Sequence, residues 1–180
     1  MSMLRVVDPR DSTRVSDIDG DFIGQVLRPY YSHSRYLKHA TFEQSDSLDP
    51  QSLIMHGEFA IPESCYIDDT GHFNAVEYNI CFNQICYVHM AHCIKHALIP
   101  ELSDDYDMDT FFEKQLPNVL IAKLASSYQS QLNAKRFYGT YGINAIKKTS
   151  TCTFIKTYCR FHDDGDGKSK GEVTLAVMAP

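Results

Sequence analysis

Residues 74–98 constrain this chain more than any other stretch. Apolar side chains at Val76, Ile80, Cys81, Ile85, Val88, Cys93 and Ile94 recur through it, with polar residues dotted between them. At 1.5 Å per residue the segment makes a helix of roughly 37 Å, apolar on nearly every side. A helix without a polar face must be wrapped by the rest of the chain. Upstream, residues 36–44 and 52–61 flank a turn rich in Ser, Asp and Pro, and Leu53, Met55, Phe59 and Ile61 share one parity, the pattern of a β-hairpin. Downstream of Pro117 the sequence turns β-branched and aromatic, which predicts four strands at about 119–128, 137–145, 149–162 and 171–178. Short helices are expected at 22–27, stopped by Pro29, and around 111–115.

The order is therefore helix, hairpin, long helix and four strands, with the later strands joining by hairpins without crossovers. The fold class is α+β, an antiparallel sheet curled around one central helix in a hotdog architecture. Such a sheet has free edges and covers only part of the helix, so a homodimer or higher homo-oligomer is expected. Residues 1–17 lack periodicity and are expected to form a flexible N-terminal segment, leaving 18–180 as a single domain.

Composition narrows the function classes. Hydrophobic residues make up 43 % and charged residues 22 %, the balance of a folded globular chain. Seventeen Lys and Arg stand against 23 Asp and Glu, a net charge of −6, with no basic block, which argues against nucleic-acid binding. No apolar stretch reaches the ~18 residues of a membrane span, and no signal core opens the chain, so a cytoplasmic protein is expected. The six cysteines lie in apolar runs without a CxxC pair and read as free, mostly buried thiols.

The chemistry-bearing residues gather where the hairpin meets the long helix, from Cys65 to Glu77. Unpaired N–H groups and the positive end of the helix dipole suit an oxygen that becomes negative during reaction. Asn74 with Glu77 three residues later also fits a capping box, and Gly71 a tight turn, so local physics leaves both readings open. His72 is a general base or a loop histidine bonded to a carbonyl. Asn83, on the helix face of Val76, Ile80 and Tyr87, is a catalytic amide or a satisfied core amide. Cys65 could pair with His72 as a nucleophile, but packing is the commoner role of such a thiol. His89, His92 and His96 lack the further partner a zinc site needs, so no metal is expected. The run from Asp163 to Gly167 misses the outer ligands of a calcium loop and reads as a hairpin turn.

The block Tyr66-x-x-x-Thr70-Gly71-His72-Phe73-Asn74-Ala75-Val76-Glu77, with Cys81-Phe82-Asn83-Gln84 after it and Pro29-Tyr30 and Arg35-Tyr36-Leu37 before it, resembles the FcoT-like thioesterases. The likeness extends through Leu120-Ile121 and Leu132-Asn133 to Gly171-Glu172. These are hotdog proteins described as long-chain acyl-CoA thioesterases. Close relatives in isonitrile-lipopeptide pathways add glycine to an α,β-enoyl thioester. More distant hotdog enzymes that make β-amino acid starters for macrolactams share the spacing Tyr-x5-His-x-Asn, met here by Tyr66, His72 and Asn74.

The resemblance implies a site at a dimer interface carried by Tyr30, Tyr66, His72, Asn74 and Asn83. The implied reaction is Michael addition of glycine to a (2E)-enoyl thioester on an acyl carrier protein, giving a 3-(carboxymethylamino)acyl thioester, with hydrolysis as an optional second step and no cofactor. His72, directly or through water, would move the proton, Tyr66 and Asn83 would join the helix-start N–H groups as oxyanion donors, and Tyr30, Gly71 and Asn74 would bind substrate. Loop N–H groups, Lys123 or Arg35 are candidates for the glycine carboxylate. The alternative is an acyl-CoA or acyl-carrier-protein thioesterase, in which Asp68, Asp69 or Glu77 could serve as a carboxylate base. A non-catalytic acyl-binding module is the third reading.

Overall fold

The apolar run after Asn74 is helical, and everything else is arranged around it: α2 spans Ala75–Lys95, with Asn74 as its N-cap and His96 as its C-cap. The computed structural model describes residues 13–180 except 48 and 69. Before α2 the chain forms β1 (Arg14–Asp17), α1 (Gly20–Val26), β2 (Leu37–Gln44) and β3 (Ile54–Phe59). After it come α3 (Pro100–Ser103), α4 (Met108–Asn118), β4 (Val119–Ser130), β5 (Phe137–Lys148), β6 (Cys152–His162) and β7 (Lys168–Met178). All seven strands join one antiparallel sheet in the order β1-β2-β3-β5-β6-β7-β4.

Two expectations need correction. Residues 14–17 do not fray but pair with β2, Arg14 opposite Gln44 through Asp17 opposite Thr41; residues 1–12 lie outside the described residues. The short strand is exposed at every position, so it carries no apolar alternation to announce it. Of the later strands, β5, β6 and β7 do run as successive hairpins, but β4 does not pair with β5. β5 pairs with β3, and β4 sits at the far edge against β7. The α2 crossover carries the chain across the sheet, and the connection at 131–136 returns it, passing the start of α2, where the Phe73 N–H donates to the Leu132 carbonyl at 3.1 Å.

Burial follows this plan. Phe59, Phe73, Phe137, Phe161 and Tyr78 form an aromatic cluster at the first turns of α2, with ring centroids 4.9–5.7 Å apart for Phe73–Phe137, Tyr78–Phe161 and Phe137–Phe161. The Tyr78 hydroxyl donates to the Cys159 carbonyl at 2.8 Å and lies where a Cβ on Gly171 would sit, so this turn of α2 approaches β7 closely only because position 171 is glycine. Farther along, His89 packs against Phe42 and Tyr141. The thiols of Cys81, Cys86, Cys93 and Cys159 are buried, which pushes Cys86 up to about 12, whereas Cys65 and Cys152 are half-buried. No helix among the described residues is long and apolar enough to cross a membrane.

α2 stops short of covering β4. Ile121, Leu124 and Tyr128 oppose the buried residues Leu175, Val173 and Ser169, so they share the inner face of the sheet, yet each remains 37–42 % exposed. On the helix Val76 is 46 % exposed, and Ile80 and Asn83 are half-buried. An apolar strip of helix and edge strand is thus left open.

Candidate active site

The start of α2 owes its form to three residues. Of the four N–H groups that a helix leaves without an internal acceptor, the capping box satisfies three. Asn74 Oδ1 accepts from Val76 N at 2.9 Å and Glu77 N at 3.2 Å, and Glu77 Oε2 accepts from Asn74 N at 3.3 Å. The Tyr66 hydroxyl donates to the same Asn74 Oδ1 at 2.9 Å. Among the described residues the Ala75 N–H has no acceptor, and Ala75 lines a cleft. The expectation of several free N–H donors therefore narrows to one.

His72 is set by its own loop. Gly71 has φ of +75°, the left-handed region where a side chain is strained, and this turns the chain so that the His72 ring comes back onto Thr70. His72 Nδ1 lies 3.0 Å from the Thr70 carbonyl, and the Thr70 hydroxyl donates to the His72 carbonyl at 2.9 Å. A carbonyl only accepts, so Nδ1 carries the hydrogen and neutral His72 presents Nε2 as its basic nitrogen. The loop is anchored from below by Tyr36, whose hydroxyl accepts from Cys65 N at 2.8 Å and donates to the Glu63 carbonyl at 3.4 Å. Ile61 N donates to Ala134 O at 2.9 Å, and buried Phe73 closes the other end.

A cleft of about 590 Å³ opens here, lined by His72, Phe73, Asn74 and Ala75 on one side and by Tyr128, Ser130 and Gln131 from the end of β4 on the other. Sequence reading missed the second group, which lies more than 50 residues away and is brought in by the β4–β7 register. Burial raises the Tyr128 phenol above its usual 10, so it stays a proton donor; its oxygen lies 3.2 Å from that of Ser126. Among the described residues no carboxylate lines the cleft. Glu77 is buried and tied into the cap, Asp68 is exposed, and Asp69 lies outside the described residues.

The expected site residues fall into two groups. Tyr66, Gly71, His72 and Asn74 come together at the cap. Asn83 lies about 14 Å farther along α2 at 1.5 Å per residue, half-buried and without a hydrogen bond among the described residues. Tyr30 belongs with this second group: burial raises its phenol pKa, and Tyr87, Cys86 and Cys81 raise it further. The satisfied core amide is its neighbour Gln84, whose Oε1 accepts from Tyr36 N at 2.9 Å and Leu37 N at 3.0 Å and whose Nε2 donates to Ser34 O at 2.7 Å. Arg35 donates to the Tyr30 and Arg28 carbonyls, and Lys123 is exposed on β4.

The remaining candidates have structural partners. Cys65 and His72 share no hydrogen bond among the described residues. His89 is fully buried, with Nε2 donating to the Leu53 carbonyl at 3.1 Å and Nδ1 3.7 Å from Cys93 Sγ. His92 packs between Phe42 and His96. Among the described residues no three His, Cys, Asp or Glu are placed to hold a metal ion. Asp163 organises a hairpin turn, Oδ1 accepting from Gly165 N at 2.9 Å and Gly167 N at 3.0 Å.

An antiparallel sheet wrapped on one long helix, with a polar cleft at the helix start, defines a protein of the hotdog fold. A mutant thioesterase from Pseudomonas aeruginosa superposes with a TM-score of 0.53 over 91 % of this chain and 96 % of that one, at 11 % identity, a likeness of fold alone. Residues 25–177 match the FcoT-like thioesterase domain, and the chain belongs to that family. It is 36 % identical over 165 residues to a (2E)-enoyl-[ACP] glycyltransferase of Streptomyces coeruleorubidus, covering 89 % of this chain and 97 % of that protein. A protein of the same name from Mycobacterium marinum is 31 % identical over 172 residues, covering 93 % and 91 %.

Proposed function

We propose that this protein is a (2E)-enoyl-[ACP] glycyltransferase, adding glycine across the double bond of an enoyl thioester held on an acyl carrier protein. The observation that carries the reading is the committed His72 ring: Nδ1–H is held by Thr70 O, Nε2 is basic, and the ring lines the same cleft as the free Ala75 N–H. The relatives' shared name, at 31–36 % identity over most of the chain, supports it.

The neutral amine of glycine forms a bond to the β-carbon as the C=C π pair shifts to the bond between the α-carbon and the thioester carbon and the carbonyl π pair moves onto the oxygen. The resulting enolate is stabilised by the Ala75 N–H at the positive end of α2, aided by Asn74 Nδ2 and the Tyr128 hydroxyl. His72 Nε2, directly or through water, takes the ammonium proton, and a proton returns to the α-carbon, giving a 3-(carboxymethylamino)acyl thioester with nothing lost. Thioesterase chemistry by a carboxylate base is the weaker reading, because no carboxylate lines the cleft among the described residues.

The site is completed by a second copy. Among the described residues β4 offers an unpaired backbone edge, and the open strip of Val76, Ile80, Ile121, Leu124 and Tyr128 gives an apolar seam for it. Asn83, on the helix face of Val76 and Ile80, and Tyr30, which lies near Tyr87 and Cys81, contact the acyl chain or the partner's cap. Carrier-bound substrate places the reaction in the cytoplasm, and the N-carboxymethyl product suits isonitrile-lipopeptide assembly. Incubation with a carrier-bound enoyl series and isotopically labelled glycine tests the proposal by mass spectrometry. A labelled adduct on the carrier is expected; unlabelled free acid alone would make the protein a thioesterase.

A further inference from the structure

The outer face of the sheet carries a charge distribution that the fold does not need. β4, β6 and β7 together hold five cations, Lys123, Lys156, Arg160, Lys168 and Lys170, and a single carboxylate, Glu172, in a chain whose net charge is −6. All five cations are exposed, and none makes an ion pair among the described residues. Arg160 and Lys170 stand directly opposite each other across the β6–β7 ladder, and Lys123 and Lys156 both pair with Thr174 from either side of β7. Like charges directly opposite on a sheet are destabilising. Two hollows lie along this strip. One of about 360 Å³ is lined by Tyr158, Arg160, Lys170 and Glu172 with Ser126 and Ser127, and one of about 180 Å³ by Lys123, Asn144, Lys156 and Thr174, again with Glu172. The strip ends at the candidate site: Lys168 pairs with Ser130, which itself lines the cleft beside His72.

We infer that the outer face of β4, β6 and β7 is the docking surface for the acidic carrier protein that delivers the enoyl thioester. This rests on the proposed function and adds the partner's binding face to it. Charge complementarity selects the occupant, since unpaired cations held against their mutual repulsion are compensated when an anionic surface settles on them. Position selects it as well. A carrier seated on the strip reaches the cleft around the Ser130 end of β4 with a flexible arm, and pairing of two copies through the β4 edge leaves this face open.

The test compares one enoyl group on two carriers, an acidic acyl carrier protein and free pantetheine, each with labelled glycine, for the unmodified protein and for R160E/K170E. Binding of the acylated carrier protein is measured alongside. The double variant is expected to lose at least tenfold in kcat/KM toward the carrier-bound substrate, mainly through KM, and to lose carrier binding, while turnover of the pantetheine thioester stays within twofold. The unmodified protein should lose carrier affinity steeply as salt rises. R160Q/K170Q relieves the like-charge pair without reversing it, so it should melt no lower than the parent and weaken docking by an intermediate amount. Equal turnover and binding of the carrier by parent and double variant would overturn the docking surface. So would capture of a duplex oligonucleotide in preference to the carrier. Absence of adduct from both substrates, with carrier binding still lost in R160E/K170E, would sink the proposed reaction and leave the surface standing.

Discussion

The two ends of α2 both use histidine, and they use it in opposite ways. At the start, His72 is exposed and commits one ring nitrogen to a neighbouring carbonyl, leaving the other to the cleft. Four turns on, His89 is fully buried with both nitrogens occupied, one by the Leu53 carbonyl and one by the Cys93 thiol. Burial lowers its pKa from 6.5 to about 4, so it is a neutral core residue. Residue type does not distinguish a reactive group from a packed one; the count of filled and unfilled hydrogen-bonding positions does. Asn83 and Gln84 repeat the contrast one residue apart, the first half-buried and without a hydrogen bond among the described residues, the second buried with three bonds.

The contrast breaks most sharply at His72. H72A should lower kcat by about 10²- to 10⁴-fold, the usual range for a positioned acid–base group, with Tm unchanged; normal turnover in labelled-glycine mass spectrometry would remove His72 from the chemistry. Q84A should cost about 3 to 5 kcal/mol in urea unfolding, since it strands two buried N–H groups and one carbonyl. N83A should stay within about 0.5 kcal/mol while activity falls, and equal destabilisation by both would erase the distinction.

His89 sharpens the comparison through pH. Its pKa is lower folded than unfolded, so the unfolded chain takes up the proton first as pH falls. Its contribution is fully present above 6.5 and is lost as pH drops toward 4, about 3 kcal/mol at 1.36 kcal/mol per unit. Half-exposed His92 adds to the loss in the same direction. Urea midpoints from pH 7 to 4 should follow this slope, and a flat profile would contradict the buried neutral ring. Y66F removes one of three donors to Asn74 Oδ1 and should cost about 1 kcal/mol with a several-fold drop in rate. The smallest effect is expected at K170E, which sets a carboxylate opposite Arg160 and should raise stability by about 0.5 kcal/mol, read as a higher urea midpoint.

Much of this arrangement was legible in the chain. The continuous apolar character of 74–98 announced a central helix, and Asn74 with Glu77 announced its cap; both are observed within a few residues of the expected bounds. Strands β2, β3, β4, β5, β6 and β7 followed from parity and β-branched runs. The sixth begins at Cys152 rather than Thr149 because the Thr149 hydroxyl closes a turn, accepting from Cys152 N at 3.2 Å and donating to its carbonyl at 2.7 Å. Strand order was not legible, since placing β5 beside β3 depends on contacts between segments that share no local pattern. Tyr128, Ser130 and Gln131 escaped for the same reason: an exposed edge strand shows no periodicity, and its role comes from what the sheet sets opposite it. Single residues such as Asn83 were ambiguous because an amide on a helix face reads alike whether its partner lies inside the same chain or in another.

The loop that carries His72 is fastened at Ile61, Cys65, Tyr66 and Phe73, to Ala134, Tyr36, Asn74 and Leu132 in turn. Ties on either side of His72 oppose a swing of the described part of the loop as one flap. On the proposed function, such a loop is a poor gate for entry of the acyl substrate and departure of its product. Residence in the cleft would then follow how long the proposed carrier stays attached, which makes turnover a property of two proteins meeting and parting.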